Sequence, residues 1–300
     1  MGKIYISGTS GFVGTNLLQY LILNGLDAEG VNLRKQLSPA IFPNANNATI
    51  VHLAGKAHDL KNSASYQEYV DVNFELTKQL FDLFLTSEAS KFIFISSVKA
   101  VTDQVEGPLT EDHTSHPVTD YGKSKLMAEK YIMAQILPPG KSYYILRPCM
   151  IHGPGNKGNL NLLYKLVSKG LPYPLAAFDN RRSFLSIENL NFVIMQIAVR
   201  PFFPTGIYNV ADDEALSTNE VVKLIAQVSG GKARLWKIKP YLINWLAKLG
   251  NLMHLPLTTE RLEKLTENYV VSNFKLIKAL NVKLPVNAKD GLVKTIKSFR

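Results

Sequence analysis

Cysteine and long hydrophobic runs are nearly absent from this chain. Cys149 is its only cysteine, which excludes an internal disulfide and a thiolate metal cluster, so we expect a buried packing role and no metal site. No apolar stretch reaches the roughly 18 residues that a membrane span requires. The first residues also lack a signal-peptide pattern, because Lys3 directly precedes an apolar run and a glycine-rich turn. These absences predict a cytoplasmic protein with no integral membrane segment.

Acidic residues are in the minority, with 24 against 34 basic ones and a formal net charge of +10. Such a charge suits a nucleic acid, a membrane surface or a phosphate-bearing small molecule. The basic residues are scattered and form no stripe interleaved with aromatic residues, so we expect no nucleic-acid partner. Residues 241–249 are apolar enough to lie on a membrane. Such stripes more often belong to a core, so membrane association is a minor hypothesis.

A glycine-rich turn follows the first apolar run and leads into a helical pattern. A strand, a glycine turn and a helix in this order are typical of the first βα unit of a dinucleotide-binding domain. Glycines let the backbone turn tightly and approach a pyrophosphate, and the amides at the helix start hold the phosphates. The predicted cofactor-binding residues of this turn are Gly8, Ser10, Gly11, Phe12, Val13 and Gly14.

Strands and helices alternate along the first half of the chain, which predicts a parallel sheet covered on both faces. The fold class is therefore α/β, a Rossmann-type doubly wound sheet with a smaller C-terminal substrate-capping region. Residues 35–47 are too few, and too rich in proline, for the helix and third strand of a full βαβαβ half, so we expect a trimmed sheet there. The predicted strands are 3–7, 28–33, 49–53, 92–96 and 143–147, and the predicted helices are 12–24, 72–86, 121–133, 159–169, 188–200 and 218–229.

The pattern loosens into loops and helices after Pro148. We therefore expect a dinucleotide-binding domain over residues 1–155 and a mainly substrate-binding region over residues 156–300. Strands and helices of the later region can return to the first domain.

Tyr121 and Lys125 stand four residues apart at a predicted helix start, so they share one helix face. A phenol near an ammonium group loses its proton more easily. Ser97 ends a predicted buried strand, and ligands bind at the carboxyl edge of a parallel sheet. A serine hydroxyl there can bind a substrate oxygen while the phenol moves the proton. These three residues are the predicted catalytic set.

With the glycine turn, Ser97 and Tyr-x-x-x-Lys in this order, the chain resembles the extended short-chain dehydrogenase/reductases, the NAD-dependent epimerase/dehydratase family. The resemblance implies that Tyr121 is the acid/base, that Lys125 binds the nicotinamide ribose and lowers the phenol pKa, and that Ser97 orients the substrate. It also implies nucleotide-sugar substrates and allows a homodimer. Four further parts of the chain resemble the family: 51–55, Asn73 with Thr77, 146–154 and 208–210. The first adds Leu53, Ala54 and Gly55 to the predicted cofactor site, and the third adds Pro148.

The subgroup follows from the residues beside Ser97. The 4,6-dehydratases have an Asp-Glu pair where this chain has Val98 and Lys99, so the acid and base for water elimination are missing.

Segments 153–159, 170–175 and 180–185 resemble bacterial polysaccharide-cluster enzymes that reduce or epimerise C4 of UDP-linked N-acetyl-6-deoxyhexosamines. By that resemblance the substrate-binding residues are Ser97, Lys99, Asn159, Arg182 as a phosphate clamp and Arg261 as a second clamp, with the Lys157 loop near the diphosphate or sugar. His58 is also family-like, with an ordinary loop histidine as the alternative.

Cofactor choice depends on the end of the second strand, where Arg34 and Lys35 stand. A carboxylate there favours NAD, whereas arginine favours the 2′-phosphate of NADP. We therefore predict NADP, with NAD as the alternative. The predicted function is NADPH-dependent reduction of the C4 ketone of a UDP-linked 6-deoxy-N-acetylhexosamine for surface polysaccharide synthesis. The alternatives are an NAD-dependent UDP-hexose or hexosamine 4-epimerase and a non-catalytic NADP-binding sensor or scaffold, against which the intact catalytic set argues.

Overall fold

The structure is a computed structural model that describes residues 2–34, 37–56, 65–156, 159–253 and 258–299. The predictions for Lys35, His58 and Lys157 lie outside the described residues. The strands are β1 Ile4–Ser7, β2 Ala28–Val31, β3 Thr49–His52, β4 Lys91–Ile95, β5 Ser142–Pro148, β6 Met150–His152, β7 Arg181–Ser186, β8 Gly206–Val210 and β9 Ala215–Ser217.

Six of these strands form one parallel sheet in the order β2-β1-β3-β4-β5-β8. All four residues of β1 and of β3 are buried, as expected for strands covered on both faces. The five strands predicted from the sequence are confirmed. The sixth, β8, returns from the later half of the chain and pairs with β5, with Leu146 opposite Tyr208.

The sheet is trimmed where the sequence predicts it. Between β2 and β3 the described chain forms a single 3₁₀ turn, Pro39–Ile41, and β2 is the last strand at that edge. Proline lacks a backbone N–H and fixes its φ angle, so this short segment suits a turn better than a further strand.

Helices cover both faces of the main sheet. Helices α1, α6 and α10 pack on one face around Leu17, Val193 and Leu276, and α3 and α4 pack on the other around Phe81 and Ala128. The helices are α1 Phe12–Leu23, α2 Tyr66–Val70, α3 Leu76–Thr86, α4 Asp120–Ala134, α5 Asn159–Ser168, α6 Ile187–Val199, α7 Thr218–Val228, α8 Pro240–Met253, α9 Thr259–Thr266, α10 Phe274–Leu280 and α11 Ala288–Lys297.

A π-helical turn, Asp71–Glu75, joins α2 to α3. The predicted helix 72–86 is thus part of a longer helical segment that begins at Tyr66, where Ser65 and Glu68 form a capping box. A π turn inserts one residue into a helix and is frequent at functional sites. Here it contains the buried Asn73.

The later half of the chain builds a second hydrophobic core from α5, α7, α8, α9 and α11. A small sheet in the order β6-β7-β9 belongs to this half, with β6 and β7 parallel and β7 and β9 antiparallel. Residues after 155 therefore contribute to both cores. Within the part of the chain that the structure describes, no helix has the length and apolar character needed to cross a membrane.

Candidate active site

The glycine turn brings β1, α1 and the loop after β3 into close approach. Gly8 has a φ of +74°, and a Cβ on it would lie 2.7 Å from the backbone nitrogen of Ala54. A Cβ on Gly14 would lie 2.2 Å from the Gly8 carbonyl oxygen. Gly11 caps α1 without a side-chain hydrogen bond, which leaves the first helix amides for an anion. This cradle fits the pyrophosphate of a dinucleotide.

His52 is fully buried and connects β1, β3 and α3. The Thr77 hydroxyl donates to the Asn73 carbonyl at 2.8 Å, so it accepts from Nε2–H of His52 at 2.9 Å. Nδ1 of His52 then accepts from the Ser7 hydroxyl at 2.7 Å. Burial and the nearby Lys125 charge lower the pKa of His52 to about 3. The imidazole is therefore neutral and serves as a structural link.

The Ser7 hydroxyl also fixes the loop that follows β3. Its oxygen accepts hydrogen bonds from the backbone N–H groups of Leu53 and Ala54, both at 3.1 Å. This loop is a predicted cofactor-binding segment. The sequence analysis did not identify Ser7 as its anchor, because the partners are separated by more than forty residues.

Asn73 connects the same loop to the first turn of α4. Its Oδ1 accepts from the Lys56 backbone N–H at 2.8 Å, and its Nδ2 donates to the Lys56 carbonyl at 3.1 Å and to the Ser124 hydroxyl at 3.0 Å. The Ser124 hydroxyl donates in turn to the Tyr121 carbonyl at 2.8 Å. The π turn thus places Asn73 where it holds the predicted acid/base helix against the cofactor loop.

Lys125 lies one turn after Tyr121 on α4 and is 5% exposed. Its ammonium donates to the Ile95 carbonyl at 2.9 Å and lies 4.8 Å from the Phe94 ring centroid. A Cβ on Gly55 would be 3.2 Å from Lys125 Nζ, so the ammonium borders the cofactor loop. Burial lowers the pKa of Lys125 to about 8, against the opposing effect of Glu129.

Glu129 continues the face of α4 that contains Tyr121 and Lys125. It is fully buried and accepts two hydrogen bonds from Arg147, Nε to Oε1 at 2.9 Å and Nη2 to Oε2 at 2.5 Å. The Ser96 hydroxyl donates to Oε1 at 2.5 Å. Glu129 therefore ties α4 to β5 and to Ser96, the residue directly after β4. Its position eight residues after Tyr121 was the available signal, and the sequence analysis did not use it.

Ser97 is close enough to Tyr121 to act on its pKa through hydrogen bonding. Burial raises the pKa of Tyr121, and the Ser97 hydrogen bond opposes that increase. The sequence predicts a lowered phenol pKa, so the direction in this structure is the opposite. The physical reason is that the phenol is desolvated while the Lys125 ammonium is bonded to the Ile95 carbonyl.

A cavity of about 240 Å³ opens at the carboxyl edge of the sheet. It brings the three predicted catalytic residues together with four predicted cofactor residues, and it adds residues that were not predicted, among them Cys149, which is buried as expected. The lining consists of Val13, Leu53, Gly55, Lys56, Ile95, Ser96, Ser97, Tyr121, Lys125, Pro148, Cys149 and Ile151.

A larger cavity, about 510 Å³, opens near the amino ends of the strands, beside Gly2 and Ser142. Its Lys91 ammonium is bonded to the carbonyls of Ile197 and Ala198 at 2.8 and 3.1 Å. The smaller cavity has the hydroxyls and the ammonium group that proton transfer requires, so we assign the candidate site by chemistry rather than by size.

Two predicted substrate residues have partners within the protein. Lys99 lies 3.6 Å from Asp103 and 4.5 Å from the Tyr269 ring centroid. Arg182 donates to the carbonyls of Lys264 and Glu267 at the end of α9. Burial lowers the pKa of Arg182. A phosphate at Arg182 would have to replace these carbonyls, and neither Arg182 nor Lys99 is among the described residues of the 240 Å³ cavity.

Three further predicted residues lie outside that cavity lining. Arg34 is exposed after β2, and its backbone N–H donates to the Asn32 side chain at 2.9 Å. Arg261 is in the first turn of α9, whose N-cap is Thr258. Asn159 is the first residue of α5.

The glycine cradle on a parallel sheet, with Ser, Tyr and Lys at its carboxyl edge, defines an NAD(P)-dependent enzyme of the Rossmann type. Residues 4–211 match the NAD dependent epimerase/dehydratase family. The chain belongs to this family, as the sequence resemblance predicts.

Two curated relatives align with three quarters of the chain. The UDP-glucose 4-epimerase of Vibrio cholerae is 34% identical over 249 residues, 75% of each chain. The N-acetyl-alpha-D-glucosaminyl-diphospho-ditrans,octacis-undecaprenol 4-epimerase of Escherichia coli O157:H7 is 29% identical over 244 residues, 75% of this chain and 72% of the relative. The structure of MoeE5 in complex with UDP-glucose and NAD has a TM-score of 0.76 at 18% identity, with 99% of this chain and 98% of MoeE5 covered. That likeness shows the fold.

Proposed function

We propose that this protein is a 4-epimerase of a diphosphate-linked hexose or N-acetylhexosamine. The observation that supports this most is the cavity that brings Ser97, Tyr121 and Lys125 together beside the cofactor loop. The two curated relatives are named as 4-epimerases, which favours this activity over the reductase that the sequence analysis preferred. NADPH and nucleotide sugars are cytoplasmic metabolites, so we place the reaction in the cytoplasm.

The residues present fit NAD(P). The Gly8 to Gly14 cradle and the first amides of α1 would hold the pyrophosphate, and the loop Leu53–Gly55 would border the nucleotide. When bound, the nicotinamide supplies a reversible hydride acceptor. An ammonium group has three donors, so Lys125 keeps two N–H groups for a ribose after bonding the Ile95 carbonyl.

The protein's own residues manage the proton and the reacting oxygen. With NAD(P) bound as hydride acceptor, Tyr121 in its phenolate form would take the proton of the C4 hydroxyl, and Ser97 would donate a hydrogen bond to the ketone oxygen. Once the ketone presents its other face, Tyr121 would return the proton to that oxygen. Substrate and product then differ only in the configuration at C4, and no net oxidation occurs.

Water elimination lacks its acid and base beside Ser97. Val98 is 4% exposed and apolar, and Lys99 is paired with Asp103. The Asp103 carboxylate in turn accepts from the backbone N–H groups of Val118 and Thr119, at 2.9 and 3.2 Å. This carboxylate is therefore used to position the approach to α4, which supports the epimerase over a dehydratase.

An NADPH-dependent C4 reductase is the second candidate, and Arg34 favours it. The β2 end presents Asn32 and Arg34 instead of the carboxylate that suits the ribose 2′-hydroxyl of NAD. We therefore propose NADP as the preferred cofactor. A reductase would use the same three catalytic residues and release oxidised cofactor in each cycle.

The substrate contacts are also part of the proposal. We place the diphosphate near Arg182 and Arg261, and the sugar near Ser97, Lys99 and Asn159, so that residues 156–300 supply most of the substrate contacts. Arginine suits a diphosphate because its planar group donates two hydrogen bonds at once.

The test is to incubate the purified protein with UDP-glucose, UDP-N-acetylglucosamine, and N-acetylglucosamine on a polyprenyl diphosphate, each with and without added NAD(P)+, and separately with a UDP-linked 4-keto-6-deoxy sugar and NADPH. A C4 epimer without net change in NAD(P)H absorbance is the expected result. Stoichiometric NADPH oxidation with a 4-keto-6-deoxy sugar would favour the reductase. If the protein converts none of these substrates, the proposal is wrong.

A further inference from the structure

Helix α8 is apolar on two faces. Its inner face contributes Ile243, Ala247 and Gly250 to the protein interior. A second apolar face points to solvent, with Trp245 58% exposed and Leu252 77% exposed. We call this second face the α8 outer face, and its residues are Tyr241, Leu242, Trp245, Leu246, Leu252 and Met253. Contiguous exposed apolar residues of this kind mark an interaction surface.

The exposed charged residues that precede and form α8 have one sign, whereas the neighbouring α9 carries both signs, with Glu260 and Glu263 beside Arg261 and Lys264. Residues 221–259 contain six lysine or arginine residues and no aspartate or glutamate. All six are exposed: Lys223, Lys232, Arg234, Lys237, Lys239 and Lys248. The α8 outer face is therefore apolar with a mainly basic flank, which favours an apolar and negatively charged partner.

The segment before α8 is fixed so that its basic and aromatic residues stay outside. The Tyr173 backbone N–H donates to the Arg234 carbonyl at 2.8 Å, and the Trp236 N–H donates to the Tyr173 carbonyl at 2.9 Å. Leu235 and Ile238 pack against the second core, while Trp236 is exposed. These backbone bonds therefore leave a second tryptophan, Trp236, exposed shortly before α8 in the sequence.

A second copy of the chain is a poor partner for this surface. A two-fold dimer places the same patch on both subunits, so the basic residues of one copy would face those of the other. An anionic lipid bilayer offers an apolar interior and negative headgroups. Tryptophan, tyrosine and lysine are the residues that suit its interface.

The geometry points to α8 as an interfacial helix: we propose that the α8 outer face and its basic flank dock this protein on an anionic lipid bilayer. With 14 residues, α8 is shorter than the roughly 20 that span a bilayer, so it lies flat in the headgroup region. The proposal goes beyond the proposed function and does not depend on it.

Docking at α8 would bring the predicted substrate region close to the membrane. The Asn251 side chain pairs with Thr259 through two hydrogen bonds, at 2.8 and 3.1 Å, and so joins α8 to α9. The other end of α9 supplies the carbonyls that hold Arg182. A bilayer against α8 would therefore lie next to the helix whose carbonyls hold the predicted phosphate clamp.

The chain's two tryptophans provide the test, because both Trp236 and Trp245 are exposed in this segment. In the Trp236→Phe variant, Trp245 is the only tryptophan. We expect its emission to shift to the blue with phosphatidylglycerol-containing vesicles and not with phosphatidylcholine vesicles. The shift should disappear in about 1 M salt, where the screening length falls to about 3 Å.

Variants of the full chain distinguish binding through the α8 outer face from nonspecific adsorption to vesicles. Leu242→Ser with Leu246→Ser, and separately Lys237→Glu with Lys239→Glu, should reduce co-sedimentation with anionic vesicles at least about tenfold, one decade being about 1.4 kcal/mol. The control Phe202→Ser removes a still more exposed apolar residue outside α8 and should leave binding unchanged. Circular dichroism melts confirm folding of every variant.

Three results would overturn the docking proposal. One is no emission shift with anionic vesicles at low salt, and another is equal loss of binding in the Phe202 control. The third is a lipid-free dimer that the Leu242 and Leu246 substitutions convert to monomer while vesicles cause no shift. None of these measurements uses turnover, so they are independent of the epimerase assay.

Discussion

Glu129 and Arg147 form a buried two-point ion pair between α4 and β5, with N–O distances of 2.9 and 2.5 Å. Their side chains are at most 3% exposed. Ser96 donates to the same carboxylate, so one group fixes the helix of Tyr121 to the segment between β4 and Ser97. The arrangement of the predicted catalytic residues therefore depends on a pair that does not line the cavity.

Replacing Glu129 should reveal how much stability this pair provides. Glu129→Gln leaves the Arg147 charge buried without a counter-ion, so we expect the free energy of unfolding to fall by about 3–5 kcal/mol. Urea denaturation measures the change. Glu260→Gln breaks an exposed pair with Lys264 and should have almost no effect. A loss as small as that of the control would contradict a structural role for Glu129.

Removing the Tyr121 hydroxyl should abolish most of the activity and spare the fold. A positioned acid/base contributes on the order of 10²–10⁴-fold, so Tyr121→Phe should lower kcat by that factor with cofactor binding nearly intact. Tyr131→Phe on the same helix is the matched control, since its hydroxyl donates to Asp82. Steady-state kinetics and a cofactor titration compare the two variants. Equal activity of both would contradict the assignment.

The buried Lys125 predicts a pH dependence of stability. Its pKa is about 8 in the folded protein against 10.5 for the free side chain, so between these values the unfolded chain binds more protons at this site. Stability must then rise with pH across that window, by an amount on the order of 3 kcal/mol. The measurement compares unfolding free energies of the wild type and Lys125→Met from pH 7 to 10. The difference between the two proteins should change by that amount, and a constant difference would argue against a lowered pKa.

Arg34 should discriminate between the two cofactors. A hydrogen bond to a charged group is worth about 1.5–3 kcal/mol, so Arg34→Ala should weaken NADPH binding by that amount and change NADH binding little. Calorimetric titration of both cofactors measures this. Arg181→Ala removes another exposed arginine as a control. Equal losses for NADPH and NADH would place Arg34 away from the 2′-phosphate.

Substitution of Arg182 tests whether this residue binds the diphosphate of the substrate. An ammonium cannot reproduce the planar two-donor group of arginine, so Arg182→Lys should weaken competitive inhibition by UDP by roughly tenfold or more. Arg181→Lys, the exposed neighbour, should leave inhibition unchanged. A thermal melt shows how much of any effect comes from losing the bonds to the α9 carbonyls. If UDP does not inhibit the wild type, the diphosphate site is not at Arg182.

Local sequence patterns predicted the parts of the fold that local physics determines. Apolar runs identified five strands of the main sheet, the glycine spacing identified the turn, and the proline-rich interval between β2 and β3 identified the missing strand. The spacing of Tyr121 and Lys125 placed both on one helix face, and the cavity contains both.

Contacts between distant segments were not predictable in the same way. β8 pairs with β5 across more than fifty residues, and no local pattern gives that partner. The bond of Ser7 to His52 and the bonds of Arg182 to the α9 carbonyls likewise depend on tertiary packing. The prediction that the pKa of Tyr121 is lowered was wrong for this reason. Sequence spacing places Tyr121 near Lys125, but it does not show that the phenol is desolvated or that the Lys125 ammonium is bonded to the Ile95 carbonyl.

The trimmed sheet also affects the tendency of this protein to aggregate through an exposed sheet edge. An edge strand can recruit a strand from another chain when it is long, flat and apolar. The edge strand β2 has only four residues, Ala28–Val31, and its Glu29 pairs with Lys3 at 2.6 Å. Brevity and charge therefore protect this edge from intermolecular strand pairing, so the fold can omit its outer strand without creating a site of aggregation.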